Sequence, residues 1–91
     1  MGGRGASGFA FDGVIVDVDE SLPYQPHHPS AVVLIDLIDE IVPVIVPASA
    51  VGDKLPLLCA GRPVHVGGTF EKYEGLTHRV ATRLRLLDRG H

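Results

Sequence analysis

Apolar side chains recur along much of this chain at a spacing of two. In residues 9–20, FAFDGVIVDVDE, Val14, Val16 and Val18 alternate with Ile15, Asp17 and Asp19, the pattern of a strand buried on one face. Gly13 interrupts the run, and a glycine inside a strand predicts a bulge or a bend. Residues 21–30, SLPYQPHHPS, predict a loop: Pro23, Pro26 and Pro29 each remove a ladder donor and restrict the residue before. Residues 31–46 hold two β-branched runs around Asp39 and Glu40, a hairpin with acids near its tip. Residues 49–61 lose the alternation. They predict a short helix or turn-rich connector, capped by Ser49 and closed by Gly61, with Pro56 ruling out a long helix.

Two further strands follow. Val64 and Val66 face inward with His65 outward, Gly67 and Gly68 bend the chain, and residues 71–75 make the turn. In LTHRVATRLRLLD, strict alternation puts Val80, Thr82, Leu84 and Leu86 on one face and Arg79, Ala81, Arg83 and Arg85 on the other. The expected interior is therefore Val14, Val16, Val18, Val64, Val66, Val80, Leu84 and Leu86, with Phe9, Phe11 and Phe70 as further core.

Composition narrows the class. A chain of 91 residues with 45 % hydrophobic and 21 % charged side chains can fill one core and no more. Residues 1–8 read as a Gly-rich flexible leader and residues 9–91 as one domain. The uncharged apolar run over residues 41–52 is too short to span a bilayer and contains Pro43 and Pro47. No apolar signal segment is visible, and the single Cys59 excludes an internal disulfide, so a cytoplasmic protein is expected. Charge is polarised. Residues 1–61 carry two basic and eight acidic side chains, residues 62–91 six basic and three acidic, which gives −6 and +3 within a net of −3.

Strand, strand, strand, short helix, strand, strand is an order with a resemblance. The chain resembles the OB-fold, an all-β, five-stranded Greek-key barrel with a short helix between its third and fourth strands. Gly13 in the first strand, the hairpin VVLIDLIDEIVPVIV, and LCAGRPVHVGGTFEKYEGLTHRVATRLRLLD carry it, over roughly residues 9 to 88. The last segment is similar to the final hairpin of OB domains that bind single-stranded nucleic acid and of synthetase anticodon-binding domains. The resemblance implies a non-catalytic module for single-stranded DNA or RNA, of low sequence specificity.

The residues fit that expectation in particular ways. Arg79, Arg83 and Arg85 offer repeated positive charge for a phosphate backbone. Lys72 and Tyr73 in the turn would close over the strand, Tyr73 by stacking on a base, and Arg62 and His65 would extend the path. The competing reading is a solvated face whose arginines pair with Asp36, Asp39 or Glu40 on neighbouring strands. No Gly-rich phosphate loop, nucleophile motif or ligand spacing occurs, so no enzyme, cofactor or metal is expected. His27 and His28 supply too few ligands and read as surface polar loop. Cys59, in apolar PLLCAG, reads as buried and unreactive. A different class of function is also open. Residues 31–46 carry only Asp36, Asp39 and Glu40 as charges, leaving both faces of the hairpin apolar, as an interface for a second copy or a protein partner would be.

Overall fold

The computed structural model describes residues 8–21, 24–27 and 29–87. Apart from Gly8, the expected leader lies outside them. Five strands form: β1 (Gly8–Asp19), β2 (Ser30–Asp36), β3 (Ile41–Pro47), β4 (Pro63–Tyr73) and β5 (Leu76–Leu86), with the one-turn helix α1 (Ala48–Val51) between β3 and β4. They close into a barrel in the order β1-β2-β3-β5-β4. Antiparallel ladders join β1 to β2 and β4, β2 to β3, and β4 to β5, while β3 meets β5 in parallel at Ile45 and Val80. Among the described residues no helix is long and apolar enough to cross a membrane.

The interior is a β-branched core. Ile15, Val33, Ile35, Val44, Val46, Val64 and Val66 are fully buried, joined by Ala81 and Leu84. β2 and β3 send alternate residues inward, as their pairing requires.

β1 corrects the expected interior by one residue. Val14 is 42 % exposed and Val16 38 % exposed, whereas Ile15 is at 0 %. Phe9 and Phe11 share the inward parity of Ile15 and pack against the core. The pairing steps from Ile15–Ile35 directly to Asp17–Leu34, so Val16 is an extra residue and the bulge lies there, beyond Gly13. After that slip Val18 packs inward as expected. Gly13 answers a different need: a Cβ there would run into the Ile35 side chain and lie 2.9 Å from the Asp36 carbonyl oxygen.

β5 slips in the same way. Gly67 pairs with Arg83 but Gly68 with Ala81, which leaves Thr82 as the extra residue. Its hydroxyl donates back to the Gly67 carbonyl at 3.4 Å. The expected face of Val80, Thr82, Leu84 and Leu86 is therefore broken. Ala81 and Leu84 belong to the core, Val80 joins a separate outer cluster with Tyr24 and Ile45, and Thr82 is exposed. Gly68 sits so close to β5 that a Cβ would collide with the Val80 carbonyl and come within 2.8 Å of the Ala81 Cα.

Two smaller expectations fail in the connector. Pro47 occupies the helix N-cap without a side-chain bond, and Gly52 closes α1 at φ 64°, so neither Ser49 nor Gly61 caps it. A 3-10 turn over Gly52–Leu57 accommodates Pro56. Cys59 is exposed, because the chain turns at residues 60–61 and Leu58 alone enters the core.

Gly68→Ala is expected to cost about 3 kcal/mol or more, since the obstacle is backbone that cannot rotate away. Gly75→Ala, at φ 82° with open space around it, should cost only about 1–2 kcal/mol. Urea melts followed by far-ultraviolet circular dichroism measure both. Equal costs would show that the close approach at Gly68 is not a constraint.

Candidate functional site

On the outside of the barrel, Val32, Ile45 and Val80 make an apolar floor where β2, β3 and β5 meet. Tyr24, only 6 % exposed, lies over it from the loop between β1 and β2. The loop is tied down locally. Tyr24 N–H donates to the buried Ser30 hydroxyl at 2.9 Å, Ala48 N–H donates to the Pro29 carbonyl at 2.9 Å, and a 3-10 turn over Gln25–His27 returns the chain. From the other side comes the β4–β5 turn. Glu74 and Gly75 both have positive φ, 54° and 82°, as a two-residue hairpin turn demands, and this brings Tyr73 toward Tyr24.

Between loop and hairpin lies a cavity of about 430 Å³ lined by Tyr24, Val32, Ile45, Tyr73, His78 and Arg79, among others. Its rings are mutually engaged. Tyr24 meets Tyr73 edge-on at 5.1 Å between centroids, His78 at 5.3 Å, and His27 in a stack at 5.6 Å and 15°. His27 Nε2 reaches both carboxylate oxygens of Glu71 on β4, at 2.9 and 3.0 Å. Loop and hairpin are thereby latched across the mouth. Burial pushes the Tyr24 phenol above its ordinary value, and the Glu71 carboxylate and Tyr73 add to the shift.

The structure divides the residues expected to bind. Tyr73 lines the cavity, and Arg79 reaches its rim. Arg83 and Arg85 project from the outer face of β5, roughly 15 Å or more along the strand from His78 at about 3.3 Å per residue. Arg83 lies flat over Gly67, where a Cβ would come within 2.7 Å of its Nη2. Opposite Arg85, His65 Nδ1 is hydrogen-bonded to the Asp12 carboxylate of β1 at 2.5 Å. Arg79 does not share the face of Arg83 and Arg85, because the Thr82 bulge intervenes. It pairs with Phe70, its guanidinium 5.7 Å from the ring centroid. Phe70 itself is 38 % exposed, so it is not the core residue its type suggested. Lys72 is exposed on the Phe70 face, and Arg62, in the approach to β4, is half-buried with an Nε that has no hydrogen-bond partner.

Among the described residues the carboxylate contacts to basic side chains are His27–Glu71 and His65–Asp12. Lys72, Arg79, Arg83 and Arg85 are in neither, and the expected partner Asp36 instead accepts the Ile38 N–H at 2.8 Å. Those cations are electrostatically available. Nor is His27 a loose surface residue, being half-buried between Tyr24 and Glu71; His28 lies outside the described residues. No group of three or more metal-type ligands occurs among the described residues. The sequence assigns no role to Tyr24, Glu71 or His78 and reads His27 only as surface loop. The available signal was a tyrosine in a proline-rich loop, matched by another beside a hairpin turn.

No family model matches the chain, and no curated protein does. Solved structures do. A chain of the S. pombe Stn1-Ten1 complex superposes with a TM-score of 0.66 at 15 % identity, over 88 % of this chain. The present chain spans 57 % of the length of that one. The dimeric N-terminal domain of PriB from Thermoanaerobacter tencongensis superposes with a TM-score of 0.64 at 11 % identity, over 91 % of this chain and 98 % of its own. With the strand order and the helix between β3 and β4, the fold is settled. This chain is an OB-fold. Its cavity lies on the β2–β3 side, between the first loop and the last hairpin.

A raised phenol pKa means that the docked loop is favoured while Tyr24 is protonated. The contribution is complete below the unfolded tyrosine pKa, about 10, and is lost as pH climbs through the folded value. Tyrosinate absorbance should show one late-titrating phenol that disappears in Tyr24→Phe. A titration of unchanged shape in that variant would contradict the buried placement.

Proposed function

We propose that residues 9–91 form one non-catalytic OB domain that binds single-stranded nucleic acid with little sequence preference. The observation that carries this reading is the ring-walled cavity together with Arg83 and Arg85 farther along the outer face of β5, which no carboxylate pairs among the described residues. Ring faces and an apolar floor accept any base, since every base has a π-face, and each stack is worth about 1–3 kcal/mol. Phosphates need charge more than geometry. A base seated against Tyr73 and His78 leaves the backbone to run toward Arg83 and Arg85. Arg62 and His65 extend the path, His65 weakly because Asp12 already holds its Nδ1. The exposed, unpaired Cys59 thiol suits a reducing compartment and supports a cytoplasmic setting.

A protein contact is the second reading, and one observation favours it. Ile38 is 95 % and Ile41 56 % exposed at the β2–β3 turn, beside a groove of about 250 Å³ lined in part by Val14, Leu37 and Pro63. The apolar surface thus lies at the hairpin tip, whereas the middle of the hairpin's outer face is covered at Ile45 by Tyr24 and Val80. That one structural neighbour belongs to a complex and the other is dimeric supports the same reading.

Fluorescence anisotropy with labelled single-stranded DNA and RNA of roughly 12 nucleotides, across a salt series, tests the first reading. Tyr73→Ala should weaken binding about tenfold. Arg83→Glu with Arg85→Glu should weaken it further and flatten the salt dependence by about one unit of slope or more. Absence of binding at low salt, or binding indifferent to these changes, removes the assignment. Light scattering tests the second: a dimer dispersed by Ile38→Asp supports it, and a monomer at micromolar concentration refutes self-association.

A further inference from the structure

The hairpin that closes the cavity has another side. Antiparallel pairing places Glu71 with His78 and Tyr73 with Leu76 on the cavity face, and Phe70 with Arg79 and Lys72 with Thr77 on the opposite face, although Thr77 and Arg79 also reach the cavity at its rim. On that opposite face Phe70 meets Phe9 edge-on at 5.7 Å, and Phe9 stacks with Phe11 at 5.4 Å. Phe70 is 38 % exposed, and Lys72 and Thr77 are exposed as well. Neither Phe70, Lys72, Thr77 and Arg79 nor the inward-facing β1 residues Phe9 and Phe11 include a carboxylate. Aromatic rings flanked by cations without a neutralising acid match the chemistry of a stacked polyanion.

Two features connect this face with the cavity. Arg79 both lines the cavity and stands over Phe70. Its strand also has ladder groups unused on that edge: β5 pairs with β3 at Val80, and residues 76–79 face Pro43 and Ile45 across the cavity. A flexible strand leaving the cavity meets Arg79 first and passes around that edge without displacing any ladder.

We propose that this side of the β4–β5 hairpin, the inward-parity face carried past the barrel's core beside Phe9, is a second contact surface for the same single-stranded nucleic acid, with a base stacked on Phe70 beside Phe9 and phosphates held by Arg79 and Lys72. The proposal rests on the nucleic-acid reading of the cavity. It adds that the strand wraps the hairpin, so that the bound length exceeds what the cavity alone accommodates. The guanidinium stands over the ring at 5.7 Å, too close for a base to lie between them, so a base stacks there as Arg79 swings off the ring to a phosphate.

The chain contains no tryptophan, so Phe70→Trp introduces a single fluorescent reporter at this surface. Oligothymidylates of roughly 4 and roughly 12 nucleotides, the span of site sizes seen for OB domains, serve as probes. The longer probe should quench the introduced indole. Lys72→Glu, at an exposed position that leaves the core untouched, should weaken the longer probe about fivefold or more and the shorter one less than twofold. Binding that Tyr73→Ala weakens, with no quenching and no length-dependent effect of Lys72→Glu, overturns the wrap and leaves the cavity reading standing. Failure of the wild type to bind either probe overturns both. If Phe70→Trp does not fold by circular dichroism, the Lys72→Glu comparison decides alone.

Discussion

One residue of slack in β5 determines what the outside of this barrel is. Ala81 must face inward because its small side chain belongs to the core, and from there strict alternation would drive Arg83 and Arg85 inward as well. Two unpaired guanidinium groups in a barrel filled by valines and isoleucines would cost far more than the fold can supply. The extra residue, Thr82, flips the parity, seats Leu84 inside and turns both arginines to solvent. The slip is possible because Gly68 lets the β5 backbone press against β4 where any side chain would collide. The Gly67–Gly68 pair serves both faces at once: Gly68 receives the backbone, and Gly67 leaves room for Arg83 to lie across the strand.

The same slip makes the β4–β5 hairpin two-sided. On the near side of the bulge, Arg79 turns to Phe70 while His78 and Val80 turn to the cavity, so aromatic and basic groups are distributed over both faces. The loop between β1 and β2 then chooses one of them. Tyr24 covers Ile45 and Val80, and the His27–Glu71 contact holds the loop to β4, which shapes the cavity from elements far apart in sequence. Each contact is modest, yet Ser30, Tyr24, His27 and Glu71 are coupled through one short loop, and a half-exposed histidine–carboxylate contact contributes chiefly by fixing geometry.

Strands and their order were legible because period-two patterning is written locally, and five of them around a short connector point to one barrel topology. Faces were legible only where the pattern was one-sided. In β2 and β3 both faces are apolar, and in β1 either parity reads as core: Phe9, Phe11 and Ile15 compete with Val14, Val16 and Val18. The pairing with β2 and the bulge at Val16 decide between them, and neither leaves a local mark. Gly13 drew attention as a break in the pattern, though it records the close approach of β2. The basic stripe was half legible for the same reason, since Thr82 resembles any exposed strand residue. Tyr24 and His27 were the least legible. Their role arises from where a proline-rich loop lands after the barrel has closed.

An acidic chain with an exposed basic face is less contradictory than its net charge of −3 suggests. Asp36, Asp39 and Glu40 cluster at the β2–β3 turn, and β3 runs two residues from Ile41 to the cavity wall at Pro43 and four to its floor at Ile45, roughly 7 and 13 Å at the usual rise. Against a Debye length of about 8 Å at physiological salt, those carboxylates are screened from the floor but only partly from the nearer wall. Of the nearer carboxylates, Glu71 faces His27 across the latch and His78 across the β4–β5 ladder, while Glu74 lines the cavity from the turn. What an approaching polyanion meets at short range is therefore Arg79, Lys72, Arg83 and Arg85 set against Glu74, and sign at short range decides binding where sign at long range decides only encounter. Lowering the salt strengthens the local arginine contacts and also extends the reach of the acidic tip. The chain's own polarity thus works against fast capture even where it permits a stable contact.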